Sequence, residues 1–405
     1  MVLALHTSDS CNTLVSLDNH HNASSKHHQD ASSFSEITVG DDAVEYRKTS
    51  LLLPVDDLYS CTAGSDSFDG LYLPTLNSGI SVDEHLQRIA ALCNACDELL
   101  SLEHHQFTQT SPERVLYVHQ GEVAHALPSQ CDVLVSDRAT TCHILALRSS
   151  SASSGTSSGE GKEAMTSLTH IDSDQYETSV RAMIDEHKRH HSIRSSDVKL
   201  EMEISIMGGF VDDEGHSRRI SNWLLHLLAD IAEEEESSLQ MRLKTCAISA
   251  MNDNGYTGPI GRGLAIHLAT GQVFLAKASS CVVGPHMILR NARLWSAEEK
   301  GIPDPAVHQL TVIHTTTSNE IVIEPFRFGA LPGIDQLMAL PDDILLEYTS
   351  TSPCAEEDDF CTVVRATLNF LLNVPATQVF GRLCNRALRF VRRHQHSNDW
   401  VLMTV

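Results

Sequence analysis

Lys199-Leu200-Glu201-Met202-Glu203-Ile204-Ser205-Ile206, closed by Gly208-Gly209, is the stretch whose reading decides the fold class. Leu200, Met202, Ile204 and Ile206 alternate with Lys199, Glu201, Glu203 and Ser205, the period of two that sends successive side chains to opposite faces of a strand. Beyond the glycines the period changes. Ile220, Trp223, Leu224, Leu227, Leu228 and Ile231 recur at helical spacing, and the helix runs into the solvated charge run Glu233 to Glu236. Working outward, Val133 to Val135 and His143 to Leu147 read as short strands. Gly263 to Leu268 and Gln272 to Ala276 form a hairpin around Ala269-Thr270-Gly271, and further strands fall at Leu310 to His314 and Ile321 to Glu324. Ser352-Pro353 opens a helix carrying Phe360, Val363, Val364, Leu368 and Leu371. The chain closes with a hairpin, Ala387 to Arg393 and Trp400 to Val405. Five arginines between Arg382 and Arg393 read as the solvated face of an edge strand. Strands and helices mix without regular βαβ alternation, and no GxGxxG or P-loop glycine pattern is present. The class is therefore α/β of the α+β kind, with mixed sheets in place of a doubly wound nucleotide fold.

Upstream, Ser81-Val82-Asp83-Glu84 is a capping box, followed by a helical stripe of Leu86, Ile89, Ala90, Cys93, Cys96 and Leu100. Cys93 and Cys96 have CxxC spacing but no second pair, so they read as core thiols. Residues 1–48 are rich in Ser, Asp, Asn and His and too poor in apolar residues to offset their ordering entropy. They read as a disordered tail ahead of one folded domain spanning 49–405. Within that domain, residues 149–162 form a flexible Ser/Gly loop.

The 53 Asp and Glu against 29 Lys and Arg leave a net charge of −24, which argues against a partner as anionic as nucleic acid or a membrane surface. No run approaches the ~18 apolar residues of a membrane span. Met1-Val2-Leu3-Ala4-Leu5-His6 lacks a basic start and does not read as a signal peptide. The 11 cysteines, odd in number and without framework spacing, fit a reducing compartment. The expectation is an acidic intracellular protein of cytoplasm or nucleus.

One segment concentrates chemistry: Ser136-Asp137-Arg138-Ala139-Thr140-Thr141-Cys142-His143. A thiol at the end of a polar loop, opening a strand, can stand exposed at a sheet rim with backbone amides nearby to receive an oxyanion. Downstream, Leu168-Thr169-His170-Ile171-Asp172 offers a histidine with a carboxylate two residues on. The Ser/Gly loop between them would let Cys142 and His170 approach. A buried cysteine and a surface histidine are the alternative.

Ser136-Asp137, Ala139 to Ile144 and Leu168-Thr169-His170 with Asp172 together resemble the protein N-terminal asparagine amidohydrolase family. More of its motifs recur in order: Gly208-Gly209-Phe210-Val211-Asp212-Asp213, Gly263-Leu264-Ala265-Ile266, Glu320 to Pro325 and Ser350-Thr351-Ser352-Pro353. The resemblance runs from about residue 80 to the C-terminus. It implies a layered α/β/β/α arrangement related to bacterial Cys/His deamidases, and hydrolysis of the side-chain amide of an N-terminal asparagine. On that reading Cys142 is the nucleophile and His170 its base. Asp172 orients His170 or is only a surface carboxylate, and Thr140 and Thr141 hydrogen-bond substrate or only shape a turn. Asp137, Asp212 and Asp213 grip the α-ammonium or are solvated. His143 faces away from Cys142. No metal or organic cofactor is needed. The resemblance further implies substrates with a free N-terminal Asn, and a link to arginyl transfer and ubiquitin ligation. Two other readings stay open: deamidation of an internal glutamine in a folded partner, and a catalytically silent module that binds N-termini.

Overall fold

The structure, a computed structural model, describes residues 70–73, 86, 89–151, 163–192, 199–253, 258–296, 309–394 and 397–403. The tail at 1–48, the capping box at Ser81 to Glu84 and residues 152–162 of the Ser/Gly loop lie outside them. In chain order the strands are β1 (Leu71–Tyr72), β2 (His105–Phe107), β3 (Val115–Tyr117), β4 (Glu122–Ala126), β5 (Val133–Ala139), β6 (His143–Ser151), β7 (Met165–Ile171) and β8 (Leu200–Gly208). They continue as β9 (Leu239–Ile248), β10 (Arg262–His267), β11 (Val273–Ala278), β12 (Thr311–His314), β13 (Glu320–Ile323), β14 (Leu388–Arg392) and β15 (Trp400–Leu402). The helices that matter here are α1 (Ala90–Ser101), α2 (Glu177–His191), α3 (His216–Glu234), α4 (Met287–Ser296) and, near the C-terminus, Phe360–Asn373, the C-terminal helix.

Seven strands pair in the order β1-β9-β8-β6-β7-β4-β12, and five in the order β2-β11-β10-β5-β3. Both sheets are mixed: β8/β9 and β4/β12 are parallel in the first, β2/β11 and β3/β5 in the second. The two sheets touch through β5 and β10 against β6, β7 and β8, while α2 and α3 pack on the seven-stranded sheet. The mixed α/β class read from sequence is what the chain adopts.

This layering explains where the alternation of β8 stops. Glu201 and Glu203 are half-buried between buried Leu200, Met202 and Ile204, but from Ile204 to Gly208 every residue is buried. The second half of the strand lies between a helix layer and the other sheet, so both faces are dry there. Full burial of an Ile or Leu side chain is worth ~1.5–3 kcal/mol, and this half of the strand is where the two sheets and the helix layer meet.

Several local expectations change. Leu239-Gln240-Met241-Arg242-Leu243 alternates as cleanly as β8 and forms the first half of β9; with α3 between them, β8 and β9 make a single βαβ unit. After Ser352-Pro353 the chain makes only a short 3-10 turn, Pro353–Ala355, and the C-terminal helix begins at Phe360. β14 is the central strand of a three-stranded sheet, not an edge. Its arginines are engaged: Arg389 pairs with Glu320, Arg393 with Asp399, and Arg392 lies over the Trp400 ring and donates to the Val115 carbonyl. Cys96 is buried and its Sγ receives the Cys246 N–H at 3.2 Å, consistent with a core thiol.

Candidate active site

Ser136 to Ala139 belong to β5 and not to a loop, so only Thr140, Thr141 and Cys142 separate β5 from β6. Because β5 lies in the five-stranded sheet and β6 in the seven-stranded one, this three-residue turn steps the chain from one sheet to the other. Cys142 consequently sits between layers. It is 1% exposed, against the expectation of an open rim position.

The β6–β7 ladder brings His170 to it. Ile144 stands opposite His170 and His143 opposite Ile171, so Cys142, two residues before Ile144, shares a face with His170 as its diagonal neighbour. Diagonal positions have Cα atoms ~7–8 Å apart, within reach of a long side chain. Strand register, and not loop flexibility, sets the approach. The ladder continues through Cys142 on its other side, where its carbonyl accepts the Gly209 N–H at 2.9 Å. That contact requires Gly208-Gly209. Both have positive φ, +119° and +70°, and a Cβ on Gly208 would lie 2.2 Å from the Cys142 carbonyl oxygen. A Cβ on Gly209 would lie 2.5 Å from His143 Nε2.

His143 faces the helix layer, as its parity in the strand requires, with Nε2 2.7 Å from Ser221 Oγ of α3. His170 faces the other sheet. Its Nδ1 lies 2.8 Å from Ser136 Oγ, and its buried Nε2 has no hydrogen-bond partner. Burial pushes the Cys142 thiol up and holds the His170 imidazole well below its ordinary range, so both rest neutral near pH 7.

The partner of His170 Nδ1 is therefore Ser136, and not Asp172. Asp172 instead receives Gln120 Nε2 at 2.6 Å and the Tyr176 hydroxyl at 2.7 Å. Asp137 is buried with both oxygens engaged, Oδ1 by the Tyr117 hydroxyl and Oδ2 by the Ala278 N–H, each at 2.8 Å. Burial raises its pKa. Asp212 accepts the His216 and Ser217 N–H groups at the start of α3, the work of a helix cap, and Asp213 is exposed. Thr141 Oγ1 is 4.0 Å from Cys142 Sγ and 3.1 Å from Thr351 Oγ1. That second contact ties the Ser350 to Pro353 motif to the cysteine turn.

A cavity of about 210 Å³ opens beside His170. Gln120, Asp137, Thr140, His170 and Glu356 supply polar wall; α4 and the C-terminal helix supply apolar wall. Glu356 escaped the sequence reading because nothing local marks it; only the fold carries it 186 residues past His170 to the same wall. Its Oε1 accepts the Ser350 hydroxyl at 2.5 Å, and burial raises its pKa. Arg138, at φ 60°, holds a left-handed backbone conformation unusual for a side chain of its size and pairs with Glu357 at 2.7 Å. The wall helix α4 is pinned by a buried ion pair in which Arg290 donates to both oxygens of Glu122. Among the described residues, no group of three or more His, Cys, Asp or Glu side chains is arranged to hold a metal ion, and no helix is long and apolar enough to cross a membrane.

The chain is similar to known proteins over most of its length. The family model described as protein N-terminal asparagine amidohydrolase matches residues 105–401. Proteins bearing that name in pig and mouse are each 30% identical to the chain, over 66% and 70% of its length and 78% and 82% of theirs. The one from Arabidopsis thaliana is 24% identical over 70% of this chain and 80% of its own. The chain belongs to the protein N-terminal asparagine amidohydrolase family.

Proposed function

We propose that this protein hydrolyses the side-chain amide of an N-terminal asparagine, giving N-terminal aspartate and ammonia, with Cys142 as nucleophile and His170 as its base. The observation that carries the reading is the unpartnered His170 Nε2 on a cavity wall, in diagonal register with a buried thiol. With Nδ1–H donated to Ser136 Oγ, Nε2 keeps a lone pair for the thiol proton. Sγ attacks the amide carbonyl as that proton moves to Nε2. The tetrahedral adduct then expels ammonia, which takes the proton from His170, and leaves a thioester. Water, giving a proton to the same nitrogen, attacks the thioester and releases aspartate and the thiol. Backbone amides of the Thr141–Cys142 turn are candidates for the oxyanion, with ~3 kcal/mol at stake per donor in comparable sites.

A free α-ammonium needs a carboxylate with capacity to spare. Glu356 suits this better than the aspartates: Asp137 has both oxygens engaged inside the protein, Asp212 caps α3 and Asp213 is exposed. An ammonium beside Glu356 would also relieve the burial that raises its pKa. In this reading the product feeds arginyl transfer and ubiquitin-dependent turnover in cytoplasm or nucleus, since a new N-terminal aspartate is what that route consumes.

The test is mass spectrometry and ammonia release on four peptides: Asn-initiated, Gln-initiated, N-acetylated Asn and internal Asn. Efficient turnover of the first alone is expected, because one added methylene moves the carbonyl by ~1 Å and misplacement of that order costs ~100-fold. Equal turnover of all four would refute amine-anchored recognition, and activity only on glutamine within a folded partner would transfer the assignment.

A further inference from the structure

The turn that carries Cys142 is held on both flanks through one buried side chain outside the cavity. Asn252, 1% exposed, ends the 3-10 turn Ser249–Asn252 that follows β9. Its Nδ2 donates to the carbonyls of Ala247, Gly208 and Gly209 at 2.8, 2.9 and 3.0 Å, and its Oδ1 accepts Arg262 Nε at 3.0 Å. A guanidinium only donates and a carbonyl only accepts, so the amide oxygen must face Arg262 and the nitrogen the carbonyls. Arg262 is itself buried, and burial lowers its pKa. Among the described residues its guanidinium donates to Asn252 and to the Met251 carbonyl, neutral acceptors both. A buried cation met by neutral groups costs stability, so this arrangement is not explained by stability alone.

The peptide group between Gly208 and Gly209 connects the Asn252 amide to the cysteine. Its carbonyl accepts Asn252 Nδ2, and its N–H is the one that donates to the Cys142 carbonyl at 2.9 Å. Both residues lack a Cβ and have positive φ, so sterics offer little resistance to this peptide turning over. Turned over, it would set its carbonyl against that of Cys142. On the other flank, Arg262 stands opposite Ala139 in the β5/β10 ladder, three residues before Cys142. The Asn252–Arg262 bond therefore joins the two sheets where the chain crosses between them.

Resting on the proposed amidase reading, we propose that Asn252 is a positioning residue for Cys142: aimed by Arg262, it clasps the Gly208–Gly209 peptide and so fixes the cysteine turn where His170 requires it. Asn252 does not line the cavity beside His170, so its part is placement and not contact with substrate. A thiol displaced by ~1 Å loses ~100-fold in a catalytic step, while the walls that bind the substrate stay where they are.

The experiment measures kcat and KM of the folded protein on an Asn-initiated peptide, with amide hydrogen exchange at glycines by NMR, for wild type, Asn252→Asp and Arg262→Met. Asn252→Asp keeps the shape and gives Arg262 a charge partner, yet a carboxylate has no hydrogen for the three carbonyls. Expected is a kcat ~100-fold lower with KM within about twofold. Exchange at Gly209 should be at least ~10-fold faster, while Gly121, whose N–H donates to the His170 carbonyl, keeps its rate. Arg262→Met removes the buried charge and leaves the amide unaimed; a kcat ~10-fold lower at unchanged KM is expected. This variant carries the test should Asn252→Asp not fold. Unchanged kcat, a rise in KM alone, or a fall in kcat with Gly209 exchange unaltered would overturn the clasp and leave the amidase reading standing. No turnover by the wild-type protein would overturn the amidase reading itself, and the positioning role with it.

Discussion

β6 and β7 carry buried histidine–serine contacts at both ends, and the two ends behave differently. At one, on the face toward the second sheet, Ser136 holds His170 Nδ1 and Nε2 is left without a partner on a cavity wall. At the other, on the helix-layer face, His187 spends Nδ1 on Ser149 and Nε2 on Ser167, at 2.6 and 2.8 Å. Ser167 in turn lies 2.6 Å from His125 Nδ1, and Ser149 lies 2.9 Å from His191 Nε2. Residues 167 and 170 fall on opposite faces because side chains alternate along a strand. In the far group both nitrogens of His187 are spent, in a polar layer that fixes α2 onto the sheet. The near group has the same residue types but keeps one nitrogen in reserve beside a thiol. Buried histidine and serine do not make a reactive site; an unspent lone pair, a nucleophile and space for substrate do.

The sharpest break between the two ends is Cys142→Ala, which removes turnover, at least ~1,000-fold in ammonia release, and costs only ~1 kcal/mol of stability. Retained turnover in the purified variant would remove Cys142 from the chemistry. Next is His170→Ala, expected to lower kcat by ~10²–10⁴ while Asn-peptide binding by calorimetry persists. Thiol alkylation at neutral pH should slow in the same variant; unchanged alkylation would mean that the histidine does not activate Cys142.

At the far end, His187→Ala should lower stability by ~2–4 kcal/mol in urea unfolding, through lost packing and orphaned serines, with kcat of the folded fraction unaltered. A matching loss of kcat would show that the two ends are coupled. Acid should reveal the buried neutral rings of both ends. Burial holds His125 down to about 4 and His143 to about 3, and keeps His187 and His314 below their ordinary value. Between about pH 6.5 and 4 the unfolded chain binds protons that the folded protein refuses, so stability is full above ~6.5 and declines as pH falls through that window. His125 alone contributes on the order of 3 kcal/mol to that decline. A midpoint in urea that does not change from pH 7 to 5 would contradict neutral burial of these rings. The smallest effect belongs to Ser136→Ala, ~10-fold in kcat with KM nearly unchanged, because the ring keeps its place but loses the bond that favours its Nδ1–H form. A change in KM alone would assign Ser136 to substrate binding.

The sequence carried the parts of this site that obey local periods. Cys142 and His170 stand in recognisable strings, β8 and α3 show their periods openly, and the parity of His143 was readable from its place beside Cys142. Other parts depend on distant pairing. Ser136 lay inside the quoted string, yet its contact with His170 exists only because β5 and β7 belong to different sheets packed face to face. Gln120, Tyr176 and Glu356 come from a turn, a helix approach and a C-terminal segment, and no spacing along the chain announces their convergence. The burial of Cys142 was hidden for a related reason. Polar residues before a strand suggest an open loop, but here Ser136 and Asp137 are strand residues, Ser136 bonded to His170 across the sheet interface and Asp137 held within its own sheet by Tyr117 and Ala278.

The register of β6 against β7 has a consequence for how this chain can vary over generations. The pairs run from His143 with Ile171 to Ser149 with Met165, and the connection between the strands leaves from the end remote from Cys142. Residues gained or lost in that connection leave every pair intact, because closing a longer loop adds only ~0.6 kcal/mol per doubling. A single residue gained or lost inside either strand would send His170 to the opposite face and remove it from the thiol. Length is therefore free beyond Ser151, where the pairing of β6 with β8 ends, and held strictly within the strands, so expansion of a Ser/Gly tract there leaves the register at Cys142 and His170 unchanged.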